Sequence, residues 1–310
     1  MRVVRYDPSK SAEWNHFIHG SKNGLFLFAR SYMDYHQDRY RDHSLMIYKN
    51  QKLIAVFPAN ENSNIIFSHW GLTFGGLIMS FDLKTEECIR IFGQIILYYK
   101  SIGIEEIYYK AISYIFQKYP SQEDLYALFR HNAVLYRRDV SSVVEISDKL
   151  RFSETKRQSV QKCHKEKVEI LENENFGDYW HLLSKVLARF DTTPVHSLDE
   201  IHLLKKNFPD RIRLFEARLK GDLLAGVVIY DYGKVAHTQY MANSEMGRKS
   251  GALDFINFTL INEHYKNHEY FSFGISTEKE GRLLNEGLIL QKEMMGARAV
   301  VNDFYKIKIA

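Results

Sequence analysis

Tyr240-Met241-Ala242-Asn243-Ser244-Glu245-Met246-Gly247-Arg248-Lys249-Ser250-Gly251-Ala252 runs from an apolar strand, through a polar turn, into a helix. A helix N-terminus presents unpaired N–H groups and a partial positive charge. Glycine lets the backbone come close to a phosphate, and Arg248 and Lys249 add formal charge. Arg248, Lys249, Ser250, Gly251 and Ala252 are therefore a candidate pyrophosphate cradle. A solvated turn before a glycine-tolerant helix start is the plainer reading of the same residues.

Outward from this stretch, one order of elements occurs twice. Upstream, Ile212 to Leu219, the turn Lys220-Gly221-Asp222 and Leu223 to Tyr230 read as a hairpin, followed by a strand from Val235 to Ala242. Downstream come a helix from Gly251 to Tyr265, with Leu253, Ile256 and Leu260 on one face, and a strand Tyr270-Phe271-Ser272-Phe273. Roughly 165 to 170 residues earlier the order is the same. Leu45 to Phe57 is a hairpin with an Asn-containing turn, and Ile65-Ile66-Phe67 is a third strand. A helix begins near Thr85, with Cys88, Ile91, Phe92, Ile95, Ile96 and Tyr99 on its buried face, and the strand Glu106-Ile107-Tyr108-Tyr109 follows. The pattern predicts a duplicated mixed α/β unit, with residues 45–109 matching 214–273.

Between the copies lies a helical section. It holds a basic helix from Phe152 to Val168, a helix from Phe176 to Phe190, and a capping box at Ser197-Leu198-Asp199-Glu200. A boundary near residue 150 divides the chain into lobes 1–150 and 151–310. A last helix is expected from Leu283 to Met295 and a last strand from Ala299 to Ile309.

The first copy differs at the decisive turn. It reads Met79-Ser80-Phe81-Asp82-Leu83-Lys84-Thr85-Glu86-Glu87, with acids where the second copy has Arg248 and Gly251. Acids suit a helix N-terminus but repel a phosphate. The first lobe is therefore expected to be unfit for a nucleotide donor and to serve as an acceptor wall or scaffold, with the donor on the second lobe.

Composition bounds the function. The 310 residues are 45% hydrophobic and 26% charged, an ordinary globular balance. The formal net charge of +4 permits anionic ligands without indicating a dedicated nucleic-acid binder. Two cysteines, Cys88 and Cys163, imply no disulfide framework and suit a reducing compartment. The opening residues lack a signal-peptide core, and no apolar run has the length of a membrane span. A cytoplasmic location is expected, with the membrane surface open as an alternative. No integral membrane contact is expected, and the oligomeric state stays open. The histidines and cysteines show no metal-ligand spacing, so no metal is expected.

The run His237 to Glu245, then Arg248 with Gly251-Ala252, Phe273-Gly274-Ile275-Ser276, Asn285-Glu286-Gly287-Leu288 and Gln291-Lys292-Glu293 before Gly296 resembles the Fem-like tandem GNAT acyltransferases. Phe57-Pro58 and Thr73-Phe74-Gly75-Gly76-Leu77 match the same pattern in the first lobe, as does the basic helix of Thr155-Lys156-Arg157 to Lys167. Tyr126 to Arg130 and Arg137 to Ser142 look like proteins of bacterial surface-polysaccharide clusters. The resemblance covers nearly the whole chain. It implies a mixed α+β fold of two GNAT-like lobes, each a central sheet flanked by helices, with the acceptor in a cleft between them. It also implies acyl transfer. The first expectation is an acetyl-CoA or other acyl-CoA co-substrate and a sugar or sugar-nucleotide acceptor. The alternatives are aminoacyl transfer from tRNA to a peptidoglycan-type acceptor, or a non-catalytic binding protein. The usual GNAT donor loop reads Arg/Gln-x-x-Gly-x-Gly/Ala, with one residue between its glycine and the following Gly or Ala. Here Ala252 follows Gly251 directly, as in Fem-like ligases that use aminoacyl-tRNA.

Direct transfer needs a base, oxyanion donors and a proton for the leaving group. His237 and Tyr240, on the strand beside the donor loop, are candidate base and acid, and strict alternation puts them on opposite faces. Asp191 and His196, in the loop Asp191 to His196, are further candidate bases on the acceptor side. Glu286 is another base candidate on the last helix. Gly274 and Ser276 end a central strand, where α/β sheets hold ligands. Lys292 is a candidate phosphate or carboxylate partner, and Trp70 beside His69 a candidate sugar-stacking residue. Each has a plain structural alternative: core packing for His237, Tyr240 and Trp70, helix capping for Asp191 and His196, and solvated helix charge for Glu286 and Lys292.

Overall fold

The computed structural model describes residues 1–309, which form two compact units. The first comprises Met1–Asp139, Lys279–Arg282 and Val301–Ala310. The second comprises Val140–Glu278 and Leu283–Val300.

In chain order the first unit holds strand β1 (Arg2–Arg5), helices α1 (Ser11–Gly20) and α2 (Arg30–Met33), and strands β2 (Arg41–Asp42), β3 (Leu45–Lys49), β4 (Lys52–Phe57), β5 (Asn60–Asn62), β6 (Ile65–Phe67) and β7 (Ile78–Met79). Helix α3 (Thr85–Ser101), strand β8 (Glu106–Lys110), helix α4 (Glu123–Arg130) and the start of strand β9 (Val134–Glu145) follow. β3 and β4 close around Asn50-Gln51, both at positive φ (47° and 68°), a two-residue turn that matches strand twist. α3 buries the predicted stripe of Cys88, Ile91, Phe92, Ile95 and Tyr99 against Leu45, Ile47, Phe57, Ile66, Ile107 and Tyr109.

The second unit takes residues 140–145 of β9, then helix α5 (Glu154–Glu166), strand β10 (Glu169–Asn173), helices α6 (Gly177–Leu187) and α7 (Leu198–Asn207), and strands β11 (Ile212–Leu219), β12 (Asp222–Asp231) and β13 (Val235–Asn243). Helices α8 (Glu245–Ser250) and α9 (Ala252–Thr259), strands β14 (Tyr270–Ile275), β15 (Thr277–Glu278) and β16 (Leu283–Leu284), helix α10 (Glu286–Glu293) and the start of strand β17 (Arg298–Lys308) complete the list. Its sheet runs β10-β11-β12-β13-β14-β9. Phe152, Val160 and Cys163, with Phe255, Ile256 and Leu260 of the α9 helix region, cover one face through Ala225, Val227, Ile229 and Phe271. On the other face, Trp180 of α6 meets Tyr240 of β13 edge to face, 5.2 Å between centroids. The capping box at Ser197 is present and opens α7.

The repeat is visible in strand register. β3 and β4 pair Ile47 with Ala55, then Tyr48 with Leu53; β11 and β12 pair Ala217 with Ala225, then Arg218 with Leu223. Both hairpins thus carry a bulge at the same place. Asn60 faces Phe67 as Tyr230 faces His237. The parallel pairs Ile66–Ile107 and Phe67–Tyr108 likewise match Ala236–Phe271 and His237–Ser272.

Several predicted elements differ. The turn at Ser244 to Gly251 is itself a helix, α8, started by the Ser244 hydroxyl accepting the Gly247 N–H. The helix expected from Leu283 begins at Glu286, because Leu283 and Leu284 pair with Glu278 and Thr277 in a hairpin. β1, β5 and β7 were too short or too polar for the alternation pattern to mark. Among the described residues no helix is long and apolar enough to cross a membrane.

Candidate functional site

The second unit has a point where parallel strands part. β13 and β14 pair from Val235–Tyr270 to His237–Ser272, and there their ladder ends. Beyond it, β13 stays on β12, while β14 turns toward β9, pairing Ile275 with Ser141 after an irregularity. Gly274 supplies that turn at φ +71°, a left-handed conformation costly to a residue with a Cβ. The result is a fork whose backbone edges lack strand partners and can offer N–H groups to a ligand.

Four predicted residues, His237, Gly274, Ser276 and Lys292, meet at this fork. Lys292, only 3% exposed, sends its ammonium to Gly274 O (3.0 Å), Ile275 O (2.7 Å) and Ser276 Oγ (2.9 Å). Burial lowers its pKa to about 8. His237 is also buried, with Nδ1 3.0 Å from Ser272 Oγ. Burial, helped by the Lys292 charge, lowers the imidazole to about 4 and keeps it neutral near pH 7. A Cβ on Gly274 would lie 3.3 Å from His237 Cε1, so glycine also keeps room for the ring.

His237 and Tyr240 share a face of β13, contrary to strict alternation. Ile229 pairs with Thr238 but Val228 pairs with Tyr240, so Gln239 is an extra residue. One inserted residue reverses the parity of every side chain after it. Tyr240 then meets His196, the hydroxyl 2.6 Å from Nδ1, while its oxygen accepts the His196 N–H at 3.3 Å. The Trp180 indole donates to His196 O at 3.2 Å and holds the loop. Burial pushes the Tyr240 phenol up to about 12. Asp191, from the same loop, is exposed at a left-handed position after the turn Ala188–Phe190. Glu286 is an exposed residue in the first turn of α10.

The candidate cradle has a different local structure from the one expected. Gly251 is the left-handed C-cap of α8, not a loop open to a ligand. The N–H of Arg248 goes to Ser244 O (2.9 Å) and that of Gly251 to Gly247 O (2.9 Å). The Ser250 hydroxyl donates to Gly247 O (3.1 Å), and Ala252 is fully buried in the core. Arg248 and Lys249 are exposed, Arg248 lying 4.0 Å from Glu245. A Cβ on Gly251 would stand 2.4 Å from Ser159 Cβ of α5. The same helix sends Lys162 Nζ to Lys249 O (2.9 Å), Cys163 Sγ to Ser250 O (3.3 Å) and Lys156 Nζ to Asp254 (2.6 Å). Gly251 thus permits close approach of a helix.

Trp70 belongs to the first unit. Its indole is 53% exposed and leans on Phe67, 4.2 Å between centroids, while His69 is buried. Sequence reasoning missed Ser272, Trp180 and Ser159. Ser272, a fully buried hydroxyl within the apolar run Tyr270 to Ile275, was the one detectable signal.

No family model matches the chain, and neither does any curated protein. Solved structures do. The crystal structure of FemX aligns over 99% of this chain and 97% of that one, with a TM-score of 0.69 at 10% identity. The C-terminal domain of a putative lysylphosphatidylglycerol synthetase from Agrobacterium fabrum aligns over 97% and 93%, at 0.64 and 12% identity. A tandem GNAT protein from the clavulanic acid biosynthesis pathway aligns over 100% and 98%, at 0.53 and 6% identity. At such identities the likeness concerns the backbone alone, and with the repeated register it establishes that the chain has a Fem-like tandem GNAT fold.

Proposed function

We propose that the second unit is an acyltransferase that moves an activated carboxyl group directly onto an amine or hydroxyl. The observation that carries this reading is the fork between β13 and β14, with buried Lys292 at its base and the Tyr240–His196 pair on the same face as His237. A carbonyl lying in the fork can take hydrogen bonds from the free strand edge. The three protons of Lys292 are already used, so its charge acts on a developing oxyanion as a field. The attacking nitrogen or oxygen forms the new bond to the carbonyl carbon. Its proton passes to the Tyr240 oxygen as the Tyr240 proton moves to His196 Nδ1. On collapse the proton returns through Tyr240 to the leaving oxygen or sulfur as its bond to carbon breaks.

The donor favoured by geometry is an aminoacyl ester of tRNA. α5 packs on the α8–α9 junction where the sequence suggested a pyrophosphate, and the N–H groups of residues 248 and 251 are already bonded. Arg157, Lys165 and Lys167 of the α5 region remain exposed and suit a phosphate backbone. Acetyl-CoA is the second reading, favoured by the exposed side chains of Arg248 and Lys249. The acceptor proposed is a small amine or hydroxyl compound, a peptidoglycan-type precursor under the first reading and a sugar or sugar nucleotide under the second. Trp70 is then a candidate for stacking on a sugar ring.

Calorimetric titration with a charged tRNA mixture and with acetyl-CoA separates the donors. Binding of charged tRNA, weakened by Lys165→Ala and by salt, is expected. Acetyl-CoA binding that disappears in Arg248→Ala would reverse the donor assignment. Absence of transfer from either donor to any amine or hydroxyl acceptor would leave a binding protein.

A further inference from the structure

A groove of about 520 Å³ lies on the second unit, between α6 and the place where β12 and α8 begin. That volume suits a small-molecule site. One wall is a single stripe of α6 and the turn that continues it. Leu182, Lys185, Val186 and Arg189 have the i, i+3, i+4, i+7 spacing of one helical face. Asp222 and Leu224 of β12, with Ser244 and Glu245 at the start of α8, form the other wall. The Ser244 N–H donates to Leu224 O at 2.8 Å and fixes these two segments together. Leu182 and Val186 are half-buried and Leu224 is buried, so the floor is apolar. The rims are charged: Lys185 and Arg189 are exposed on one, Asp222 and Glu245 on the other.

The repeat supplies a control, because the first unit has a groove at the equivalent place. By strand register, Lys52, Ile54, Ser80 and Asp82 stand where Asp222, Leu224, Ser244 and Met246 stand in the second unit. The Ser80 N–H donates to Ile54 O at 3.0 Å, as Ser244 does to Leu224 O. In the first groove the charges cancel one another. Lys49 pairs with Glu87, Lys52 with Asp82 (3.0 Å) and Arg90 with Glu86 (2.8 Å). In the second they do not. Among the described residues Lys185, Arg189 and Asp222 enter no ion pair, and Glu245 has Arg248 4.0 Å away, outside the groove lining. Cations on one rim and anions on the other, unpaired across an apolar floor, complement a ligand that carries both charges apart from each other.

We propose that this groove binds a short apolar peptide with free ends. Its carboxylate lies on Arg189 and Lys185, its ammonium on Asp222 and Glu245, and its side chains on the floor. A phosphate or another pure anion would meet Asp222 and Glu245, and a pure cation would meet Lys185 and Arg189. A free amino acid carries both charges on one carbon, whereas an extended dipeptide parts them by about 7 Å. The Arg189 guanidinium can take a carboxylate through two parallel bonds. The site is separate from the fork, which opens after His237, while the groove lies at Asn243 where β13 ends. It does not rest on the acyl-transfer reading.

Calorimetric titration of the full chain with leucyl-leucine tests this. Binding is expected, weaker at high salt. Leucyl-leucine amide, N-acetyl-leucyl-leucine and free leucine should each bind about tenfold or more weakly, because each lacks one charged end or the distance between the two. Arg189→Gln and Asp222→Asn should each lower affinity for leucyl-leucine about tenfold, with unchanged thermal melts because both side chains are exposed. Arg189→Lys keeps the charge and should retain most of the binding. Lys52→Gln, at the equivalent groove of the first unit, should leave binding as in the wild type. No binding of leucyl-leucine at millimolar concentration, equal binding of the peptides with and without charged ends, Arg189 and Asp222 variants that bind like the wild type, or an equal loss in Lys52→Gln would each overturn the proposal.

Discussion

After His237 in the second unit and after Phe67 in the first, parallel strands separate, and the two separations are filled differently. The ladders leading to them match residue for residue, Phe67–Tyr108 corresponding to His237–Ser272. Past that point β13 of the second unit stays paired with β12 through Asn243, interrupted only by the bulge at Gln239. The first unit has residues 68–77 before Ile78 rejoins Val56. The longer segment occupies its own fork. Ser68 N–H donates to Tyr108 O (2.9 Å), and Ser68 Oγ accepts from the Lys110 N–H (2.8 Å). Leu72 and Phe74 bury themselves. Lys110, at the position of Gly274, ties the segment down through Trp70 O (2.8 Å) and Leu72 O (2.7 Å). Both units therefore use a lysine to satisfy carbonyls where strands part. In the first it closes the gap, and in the second Lys292 reaches in from a helix and leaves the gap lined by His237 and Gly274.

The sharpest way to break this comparison is to transplant the difference. Gly274→Lys puts the first unit's residue into the second unit's fork, where a Cβ is strained at φ +71° and crowds His237. Turnover should fall to background, with the fold retained by circular dichroism. Persisting turnover would mean that the fork is not where the acyl group lies.

Lys292→Met keeps the stem and removes the charge. A loss of about 10²- to 10³-fold in turnover is expected. The pH profile gives an independent reading. Under the proposed mechanism Lys292 acts as a charge, so turnover should fall above about 8, where the ammonium loses its proton; if a neutral His237 is also required beside the reacting group, an acid limb should lie at about 4, where the imidazole protonates. In Lys292→Met the acid limb should move to higher pH, because a neighbouring positive charge no longer disfavours protonated His237. An acid limb that stays in place would detach His237 from the mechanism.

The smallest effect is expected in the first unit. Lys110→Met removes two hydrogen bonds to carbonyls, made by an amine that burial lowers to about 7, and should cost about 1–3 kcal/mol of stability, measured by denaturant unfolding. Turnover at a temperature where the variant is folded should match the wild type. An equal loss of turnover in the Lys110 and Lys292 variants would remove the asymmetry between the forks.

The fork residues were only partly legible beforehand. Gly274, Ser276 and Lys292 lie within a short stretch at a strand end, so their meeting follows from local order plus one helix. His196 and Tyr240 are far apart in sequence, and only α6 and the loop after it bring them together. The parity of Tyr240 could not be read at all. A bulge is decided by which strand residue loses its partner, and nothing in Thr238-Gln239-Tyr240 marks that choice. The cradle at Gly251 shows the opposite difficulty. The residue type demanded close approach by something, and the chain alone did not say whether that was a phosphate or Ser159.

The sequence by itself determined the repeat, the two hairpins, the buried stripe of α3 and the order hairpin, strand, helix, strand in each unit, because hydrophobic period and turn chemistry act over a few neighbouring residues. Tertiary structure decided what each strand gap holds. Whether residues 68–77 fold into their own fork, whether Lys292 turns inward while Leu288 and Leu290 face solvent, and whether α5 covers Gly251 depend on competition for the same space and the same backbone hydrogen bonds. That competition is settled between segments distant in the chain, where local propensity carries no information.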